Sequence, residues 1–340
     1  MSLPGFQNKA VFLFGPTAVG KTRLLFDFYS GTGEVVNADS VQVYRHLDIG
    51  SAKATKDITD RIPHHLIDIL DPWETYNVAD FIRLGDKACS QIWQNGHLPV
   101  ISGGTAFYFK HFMYGLSEAP QSDPETRHSV ELFIRDQGLQ KAHDYLKIVD
   151  PVSAERINVN DSYRISRAIE VYRASGKPLS SFALPTTPRN GMNILSIGLF
   201  REKEELNNRI RQRVDIMFDE GLVEEIKKLL DMGANPEWQS MQGIGYREFM
   251  EALFDPETNK QSRKPESLSK EELKEIKERI CMNSIHYAKR QMTFFRSFRD
   301  VTWIDAEDTQ SLRETLNRFL QYCSSHGWSL TIQSLRIRSL

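Results

Sequence analysis

Gly15-Pro16-Thr17-Ala18-Val19-Gly20-Lys21-Thr22 fits the pattern G-x-x-x-x-G-K-[ST], a loop that cradles phosphate. Its flanks decide the fold. Lys9–Phe14 (KAVFLF) is apolar and short enough for a buried strand, and residues 23–29 continue as the start of a helix. Strand, glycine-containing loop and helix, in that order, are the setting the motif requires. The glycines let backbone N–H groups curl around a phosphate or diphosphate, and the helix N-terminus adds partial positive charge. Lys21 is placed to reach terminal phosphate oxygens, and the Thr22 hydroxyl to help hold Mg²⁺. The competing reading is a chance match in an ordinary turn, against which the strand and helix on either side weigh heavily.

Outward from that unit, strands and helices alternate. Residues 34–37 (EVVN) read as a second strand and residues 66–69 as a third. Residues 78–95 have the period of a long amphipathic helix that stops at Gly96, residues 98–102 (LPVIS) read as a buried strand, and residues 105–114 begin a further helix. This alternation predicts a parallel, doubly wound sheet. From residue 123 to about 176 only helical periodicity is found, residues 179–191 are rich in Pro, Ser and Thr, and residues 192–200 (MNILSIGLF) are strand-like again. The expected fold is therefore α/β, a P-loop NTPase-like parallel sheet core flanked by helices. The core is expected over residues 1–117 and 191–340, with a mainly helical insertion over 118–190 that carries partner contacts. After Phe200 the chain reads as helical, broken by a polar surface loop over residues 255–267. Ser269-Lys270-Glu271-Glu272 then forms a capping box that opens a long helix.

A chain of 340 residues with 40% hydrophobic and 26% charged side chains buries a full core without staples. Cys89, Cys281 and Cys323 lie far apart with no C-x-x-C, which excludes a zinc-finger pattern and fits a reducing compartment. The apolar run before the phosphate loop is too short for a signal peptide, and no segment approaches transmembrane length, so a cytoplasmic protein is expected. The net charge of −2 leaves nucleic-acid binding, if any, to local basic patches.

Parallel sheets bind ligands beyond the carboxyl ends of their strands. Asn37-Ala38-Asp39-Ser40-Val41-Gln42 follows the second strand, and Gly103-Gly104-Thr105 follows the strand at 98–102. Asp39 and Thr105 are thus expected near phosphates bound by Lys21. Taken singly, Asp39 is equally a turn carboxylate and Thr105 a helix N-cap. Nucleotide-hydrolysing proteins of this class usually end a strand in an aspartate that holds Mg²⁺, whereas this strand ends in Ser-Gly-Gly-Thr. With no D-x-x-G and no N-K-x-D, a GTPase is excluded, and the loop suits a diphosphate that leaves.

A second signal is basic. In residues 286–299 (HYAKRQMTFFRSFR), Lys289 and Arg296 share a helix face, Arg299 follows one turn on, and Phe294, Phe295 and Phe298 interleave. That suits phosphate contacts with base stacking, and equally a solvated helix end with its phenylalanines in the core. Arg164 and Arg167 lie three apart on one helix, free for RNA or paired with Asp161 and Glu170. Arg209, Arg211 and Arg213 cluster, and Gln242-Gly243-Ile244-Gly245-Tyr246-Arg247 has glycines spaced for a close backbone approach. His64 and His65 read as structural.

Together these stretches resemble the tRNA dimethylallyltransferase family, bacterial type. The resemblance rests on GPTAVGKT at 15–22, NADSVQVYRHLDIGSAK at 37–53, HHLID at 64–68 and SGGTAFY at 102–108. It extends through DSYRISRAIEVYRASGKP at 161–178, QGIGYRE at 242–248 and YAKRQMTFFR at 287–296. It implies transfer of the dimethylallyl group of dimethylallyl diphosphate to the N6 amine of adenosine 37, in tRNAs reading codons that begin with U. Diphosphate is released and Mg²⁺ is needed. It implies a base flipped into a channel that the donor enters from the other side, with the insertion clasping the anticodon stem of tRNA. Asp39 would be the general base, Thr105 would bond the bridging oxygen of the donor, and Lys21 would serve the leaving diphosphate. Gly15 to Thr22, that is Gly15, Pro16, Thr17, Ala18, Val19, Gly20, Lys21 and Thr22, would bind the donor with Arg209 and Arg213, Thr22 reaching the metal. The tRNA contacts implied are Asp39, Ser40, Val41, Gln42, Thr105, Arg127, Tyr163-Arg164-Ile165-Ser166-Arg167, Gln242-Gly243-Ile244-Gly245-Tyr246-Arg247 and Lys289-Arg290-Gln291-Met292-Thr293-Phe294-Phe295-Arg296. Departures are Val19 for a usual Ser, expected to point into the curl of the loop, Ser51 for Thr, Ala106-Phe107 for Gly-Leu, and Phe294 for Trp. A monomer is expected.

Three other readings are weighed against this one. A prenyltransferase acting on free adenine nucleotide shares the loop and the aspartate but has no use for the insertion or the basic helix. A small-metabolite kinase would turn over ATP. A non-catalytic RNA binder would have no need of Lys21, Thr22, Asp39 and Thr105 together.

Overall fold

The structure, a computed structural model, describes residues 8–29, 31, 33–183, 185–189 and 192–325. In chain order they form β1 (Lys9–Phe14), α1 (Lys21–Tyr29), β2 (Gly33–Asn37), α2 (Lys56–Arg61), β3 (His64–His65), α3 (Val78–Gln94), β4 (Leu98–Gly103) and α4 (Ala106–Tyr114). Then come α5 (Pro124–Val149), α6 (Pro151–Arg156), α7 (Ser162–Ser175), β5 (Asn193–Phe200), α8 (Lys203–Asp219), α9 (Leu222–Asp231), α10 (Arg247–Leu253), α11 (Lys270–Phe295), β6 (Val301–Asp305) and α12 (Thr309–Ser325). Two compact units result, one of Met1–Phe112 with Asn190–Leu340, the other of Met113–Arg189. Residues 1–7, 190–191 and 326–340, which the sequence-based division assigns, lie outside the described residues.

The larger unit is built on a six-stranded sheet in the order β3-β2-β4-β1-β5-β6, every neighbouring pair parallel. β1 is buried along its whole length, as a central strand covered on both faces must be, which is why KAVFLF shows no polar alternation. Alternate residues still serve opposite faces. Val11 and Leu13 join Leu24 and Leu25 of α1, Leu206 and Ile210 of α8, and Leu312 and Leu316 of α12 in an aliphatic cluster. Phe12 and Phe14 turn the other way, onto Phe109 at 5.3 and 5.4 Å between ring centroids, and Phe14 stacks on Phe295 of α11 at 4.6 Å. Burying a side chain of this size contributes roughly 1.5–3 kcal/mol, so apolar packing rather than its charges seats α11 on the sheet.

Two expectations are corrected. Residues 66–69 are not a strand. β3 stops at His65, and Leu66 (φ 62°) and Asp68 (φ 52°) are left-handed. The backbone turns there so that Asp68 and Ile69 donate to the carbonyls of Gln42 and Val43. The chain after Phe200 is not wholly helical either, because Val301–Asp305 forms β6 and pairs with β5. As an edge strand it is only partly buried and carries polar residues that blur its signal.

The smaller unit packs α5, α6 and α7 around Val130, Ala142, Leu146, Ala154, Ile165, Ala168 and Ile169. Buried Asp150 accepts from the N–H and hydroxyl of both Ser153 and Ser180. Burial alone would raise its carboxyl, but these bonds hold it below the usual range.

In the larger unit, Glu225 of α9 fixes the loop that follows β2. Its buried carboxylate accepts from the N–H groups of Asp48 (2.9 Å), Ile49 (2.7 Å) and Gly50 (3.0 Å), and from the Tyr246 hydroxyl (2.8 Å). Glu225→Ala leaves these donors, two of them in the buried residues Gly50 and Tyr246, without their acceptor. It is expected to cost about 2–3 kcal/mol, read as a lower urea midpoint with an unchanged slope. A midpoint equal to that of the wild type would mean water reaches these donors.

Candidate active site

Because the strands are parallel, the turns after β1, β2, β4 and β5 gather at one edge of the sheet. The phosphate loop follows β1. Ala18 (φ 62°) and Gly20 (φ 111°) are left-handed within it, a conformation that turns successive N–H groups to one side and that glycine adopts at least cost. Arginines brace the outside of the curl. Arg213 Nη1 donates to Thr17 Oγ1 (2.8 Å), Arg209 Nε to the Ala18 carbonyl (2.9 Å), and Arg201 Nε to the Val19 carbonyl (2.8 Å). Arg209 and Arg213 lie one turn apart on α8, whereas Arg211 faces away and pairs with Glu278 at 3.1 Å. Val19 does not point into the curl. Its side chain is buried in the aliphatic cluster, so replacing a serine there leaves the polar lining of the loop unchanged.

Lys21 Nζ donates to the carbonyls of Gly15 and Pro16, both at 2.9 Å. Burial, and then the positive charge of Arg213, push its ammonium down to about 7, while Asp39 pulls the other way. Burial also lowers the Arg213 guanidinium from its usual range against the attraction of Asp39. Two buried cations that share one carboxylate are placed to receive a further anion.

The turn after β2 presents Asp39. Its Oδ1 accepts from the N–H groups of Val41 (2.9 Å) and Gln42 (3.3 Å), which fixes the carboxylate plane and leaves Oδ2 outside those bonds. Thr105 is tied to the same turn. Its N–H donates to the Ala38 carbonyl (3.1 Å), and its hydroxyl accepts from Ser40 N–H (3.1 Å). Gln42 is spent on the carbonyls of Ser51 and Ala52. From α11, the Tyr287 hydroxyl donates to the Gly104 carbonyl at 3.4 Å. Burial, and then Asp39, push that phenol up to about 12.

Two cavities of about 320 Å³ each open on these residues. One is lined by Lys21, Thr22, Arg209 and Gln291; the other by Val41, Ile210, Ile244, Arg247 and Arg290. Thr17, Asp39, Arg213 and Tyr287 line both. Asp39 therefore lines both the cavity on the phosphate loop and the one bounded by Val41, Ile244 and Arg290.

The residues assigned to RNA from sequence divide. Lys289, Arg290, Thr293 and Arg296 are exposed, and Met292 and Phe294 are half-buried, with Lys110 over the Phe294 ring at 5.8 Å. Phe295 is in the core and Gln291 is buried, so neither offers an RNA-facing surface, because helical periodicity turns both toward the sheet. Tyr246 is buried with its hydroxyl on Glu225. Gly245 (φ 99°) is needed for contact within the protein, since a Cβ there would stand 3.3 Å from the Gly50 carbonyl. Gln242, Gly243, Ile244 and Arg247 line the second cavity. In the smaller unit Arg127, Tyr163 and Arg164 are exposed, Arg164 pairing with Asp161 at 3.4 Å. Ser166 is half-buried and Ile165 lies in the core. Arg167 donates to Ser122 Oγ and the Pro120 carbonyl, both at 2.8 Å. His65 bonds Glu34 at 2.6 Å, and His64 bonds the Ile62 carbonyl at 2.7 Å.

Arg201, Ser51 and Tyr287 take part in the site and are missed by the sequence reading. Arg201 directly follows β5, so the strand-end rule that singled out Asp39 also points to it. Tyr287 lies one turn before Gln291 on the inward face of α11.

Fold and site define a phosphate-loop α/β protein with two cavities that share Thr17, Asp39, Arg213 and Tyr287. The chain belongs to the IPP transferase family, whose model matches residues 42–298. It is 41% identical over 314 residues to a tRNA dimethylallyltransferase of Borrelia turicatae, covering 92% of this chain and 98% of that protein. It is 40% identical to one of Anoxybacillus flavithermus, covering 93% and 96%. Its structure is similar to the crystal structure of a full-length tRNA isopentenylpyrophosphate transferase from Bacillus halodurans, with a TM-score of 0.64 and 36% identity over 94% of this chain and 98% of that one.

Proposed function

We propose that this chain is a tRNA dimethylallyltransferase that moves the dimethylallyl group of dimethylallyl diphosphate to N6 of adenosine 37, in tRNAs reading codons that begin with U. The observation that carries the reading is that Asp39 lies between two cavities, one on the phosphate loop and one on the acceptor side. N6 attacks C1 of the donor, the C1–O bond breaks, and diphosphate leaves with the electron pair. The N6 proton passes to the free oxygen of Asp39 as the new N–C bond forms. An adenine amine is a weak nucleophile because its lone pair is delocalised, so removing that proton matters. The loop N–H groups and Lys21 meet the charge developing on the leaving diphosphate, and the proposal gives Thr105 the bond to its bridging oxygen.

Among the described residues no cluster of three or more His, Cys, Asp or Glu is positioned to hold a metal. The Thr22 hydroxyl lines the phosphate-loop cavity and, as a hard oxygen ligand, would help hold Mg²⁺ there. When bound, that ion would neutralise charge on the leaving group.

The acceptor chamber fits a base taken out of a single-stranded loop, where flipping costs least. The exposed cations of α11, with Arg127 and Arg164 of the helical unit, are the proposed tRNA contacts. Among the described residues no helix is long and apolar enough to cross a membrane. Action in the cytoplasm as a monomer is part of the proposal. Incubation with labelled dimethylallyl diphosphate and unmodified tRNA tests the reaction. Prenylated adenosine at position 37 is expected, and label absent from tRNA sinks the assignment.

A further prediction concerns the RNA face. Lys289 and Arg296 are exposed on α11. Neutralising both is expected to reduce the slope of log affinity for tRNA against log salt by roughly one to two units, because fewer counterions are released. Pyrophosphate affinity should not move. An unchanged slope in a folded double mutant would reduce this face to a solvated helix end.

A further inference from the structure

Gln291 sits on α11 among residues that read as an RNA face, yet its side chain goes elsewhere. It is only 3% exposed. Its Oε1 accepts from the N–H of Thr17 in the phosphate loop at 2.9 Å, and its Nε2 donates to the carbonyl of Gly104 at 2.7 Å. Those partners follow β1 and β4, neighbouring strands of the sheet. The seat is close-fitting, since a Cβ on Gly104 would stand 2.5 Å from Nε2. The carboxamide offers an acceptor and a donor at once from one planar group at every pH, and only one orientation of it satisfies both partners.

The bonds continue past Gly104. Thr105 donates its N–H to Ala38 and accepts from Ser40, on either side of Asp39. Hydrogen bonds thus link the phosphate loop through Gln291 and the Gly104-Thr105 turn to Ala38 and Ser40, the two residues that flank Asp39.

We propose that Gln291 is a positioning residue that fixes the distance between the leaving diphosphate and the base, by clamping the phosphate loop to the turn that carries Thr105. This rests on the transfer reaction proposed above. In that reaction the base and the leaving group must be held in one geometry, and small displacements are costly. The charged and titratable groups that share the cavity with Gln291 are Lys21 and Arg23 of α1, Arg209 and Arg213 of α8, Asp39 and His64 from the turn after β2 and from β3, and Tyr287 on α11 itself.

The test uses two variants of the full chain. Gln291→Leu keeps the volume and removes both bonds. It is expected to lower kcat about 10- to 100-fold and to shrink the thermal stabilisation given by inorganic pyrophosphate, with tRNA affinity in the absence of donor unchanged. Gln291→Glu keeps the acceptor for Thr17 but turns an oxygen toward the Gly104 carbonyl, and regains a donor only when protonated. Its activity relative to wild type at the same pH is therefore expected to rise as pH falls from about 8.5 to about 6, since a carboxyl held against a carbonyl titrates above its ordinary value. Wild-type kcat in Gln291→Leu, or a flat ratio for Gln291→Glu, overturns the proposal. So does lost tRNA affinity with an intact pyrophosphate effect, which would make Gln291 an RNA contact. If Gln291→Leu does not fold, the pH ratio decides alone. If the wild type transfers no dimethylallyl group, the proposed reaction fails, and the pyrophosphate effect still tests the clamp.

Discussion

Asp39→Ala is expected to lower the single-turnover rate of dimethylallyl transfer about 10²-fold or more, the usual loss on removing a general base, with little change in tRNA affinity. The argument is geometric. Backbone N–H groups of Val41 and Gln42 engage Oδ1, so the carboxylate is oriented before any substrate arrives. The residue lines both cavities. Asp39→Asn sharpens the experiment, because the carbonyl oxygen of asparagine can still accept from Val41 and Gln42 while the other position becomes an NH₂ that takes no proton. The same fall in rate with an unchanged melting midpoint is expected for it. Near-normal single turnovers in Asp39→Asn would remove the base assignment and leave Asp39 as a turn residue.

The phosphate loop is legible because its glycines, lysine and threonine stand at set spacings between a strand and a helix, all local features. Asp39 and Thr105 are legible for a topological reason. A parallel sheet brings the ends of its strands together, so residues 66 apart in sequence are predicted neighbours once the strands are drawn. The division of the arginines on α8 is also accessible: residues four apart share a face, and Arg211 between them does not. What fails is orientation wherever a helix carries polar residues on more than one side. Gln291 and Phe295 lie within a basic, aromatic stretch, and charge alone assigns them to RNA. Only the packing of Phe295 on Phe14 reveals which side of α11 meets the sheet. β6 escapes because an edge strand is half-wet and needs no continuous apolar run. The glycines at 243 and 245 mislead in another way. Gly245 does mark a close backbone approach, but to the loop at Gly50, while Gly243 lies against the Val41 side chain.

Lys21→Ala is expected to lower kcat/KM for dimethylallyl diphosphate about 10²- to 10³-fold, the scale of losing one preorganised group from a developing anion, while tRNA binding without donor persists. Lys21 Nζ donates to the carbonyls of Gly15 and Pro16, and burial and Arg213 push it down to about 7 against the pull of Asp39. Such an ammonium is poorly solvated and repelled by its neighbour. A diphosphate adds negative charge beside it, and more of it as the C1–O bond breaks. The stabilisation is therefore greater in the transition state than in the ground state, so kcat should fall as well as KM rise. Alanine also leaves the carbonyls of Gly15 and Pro16, both buried residues, without this donor, so the melting midpoint is measured beside the kinetics to separate lost binding from lost fold. The measurements are steady-state kinetics against donor concentration and thermal protection by dimethylallyl diphosphate, pyrophosphate and ATP. Protection by the prenyl donor and by pyrophosphate, lost in the variant, is the expected outcome. Protection of the wild type by ATP alone would transfer Lys21 to a kinase and end the prenyl-transfer reading of the loop.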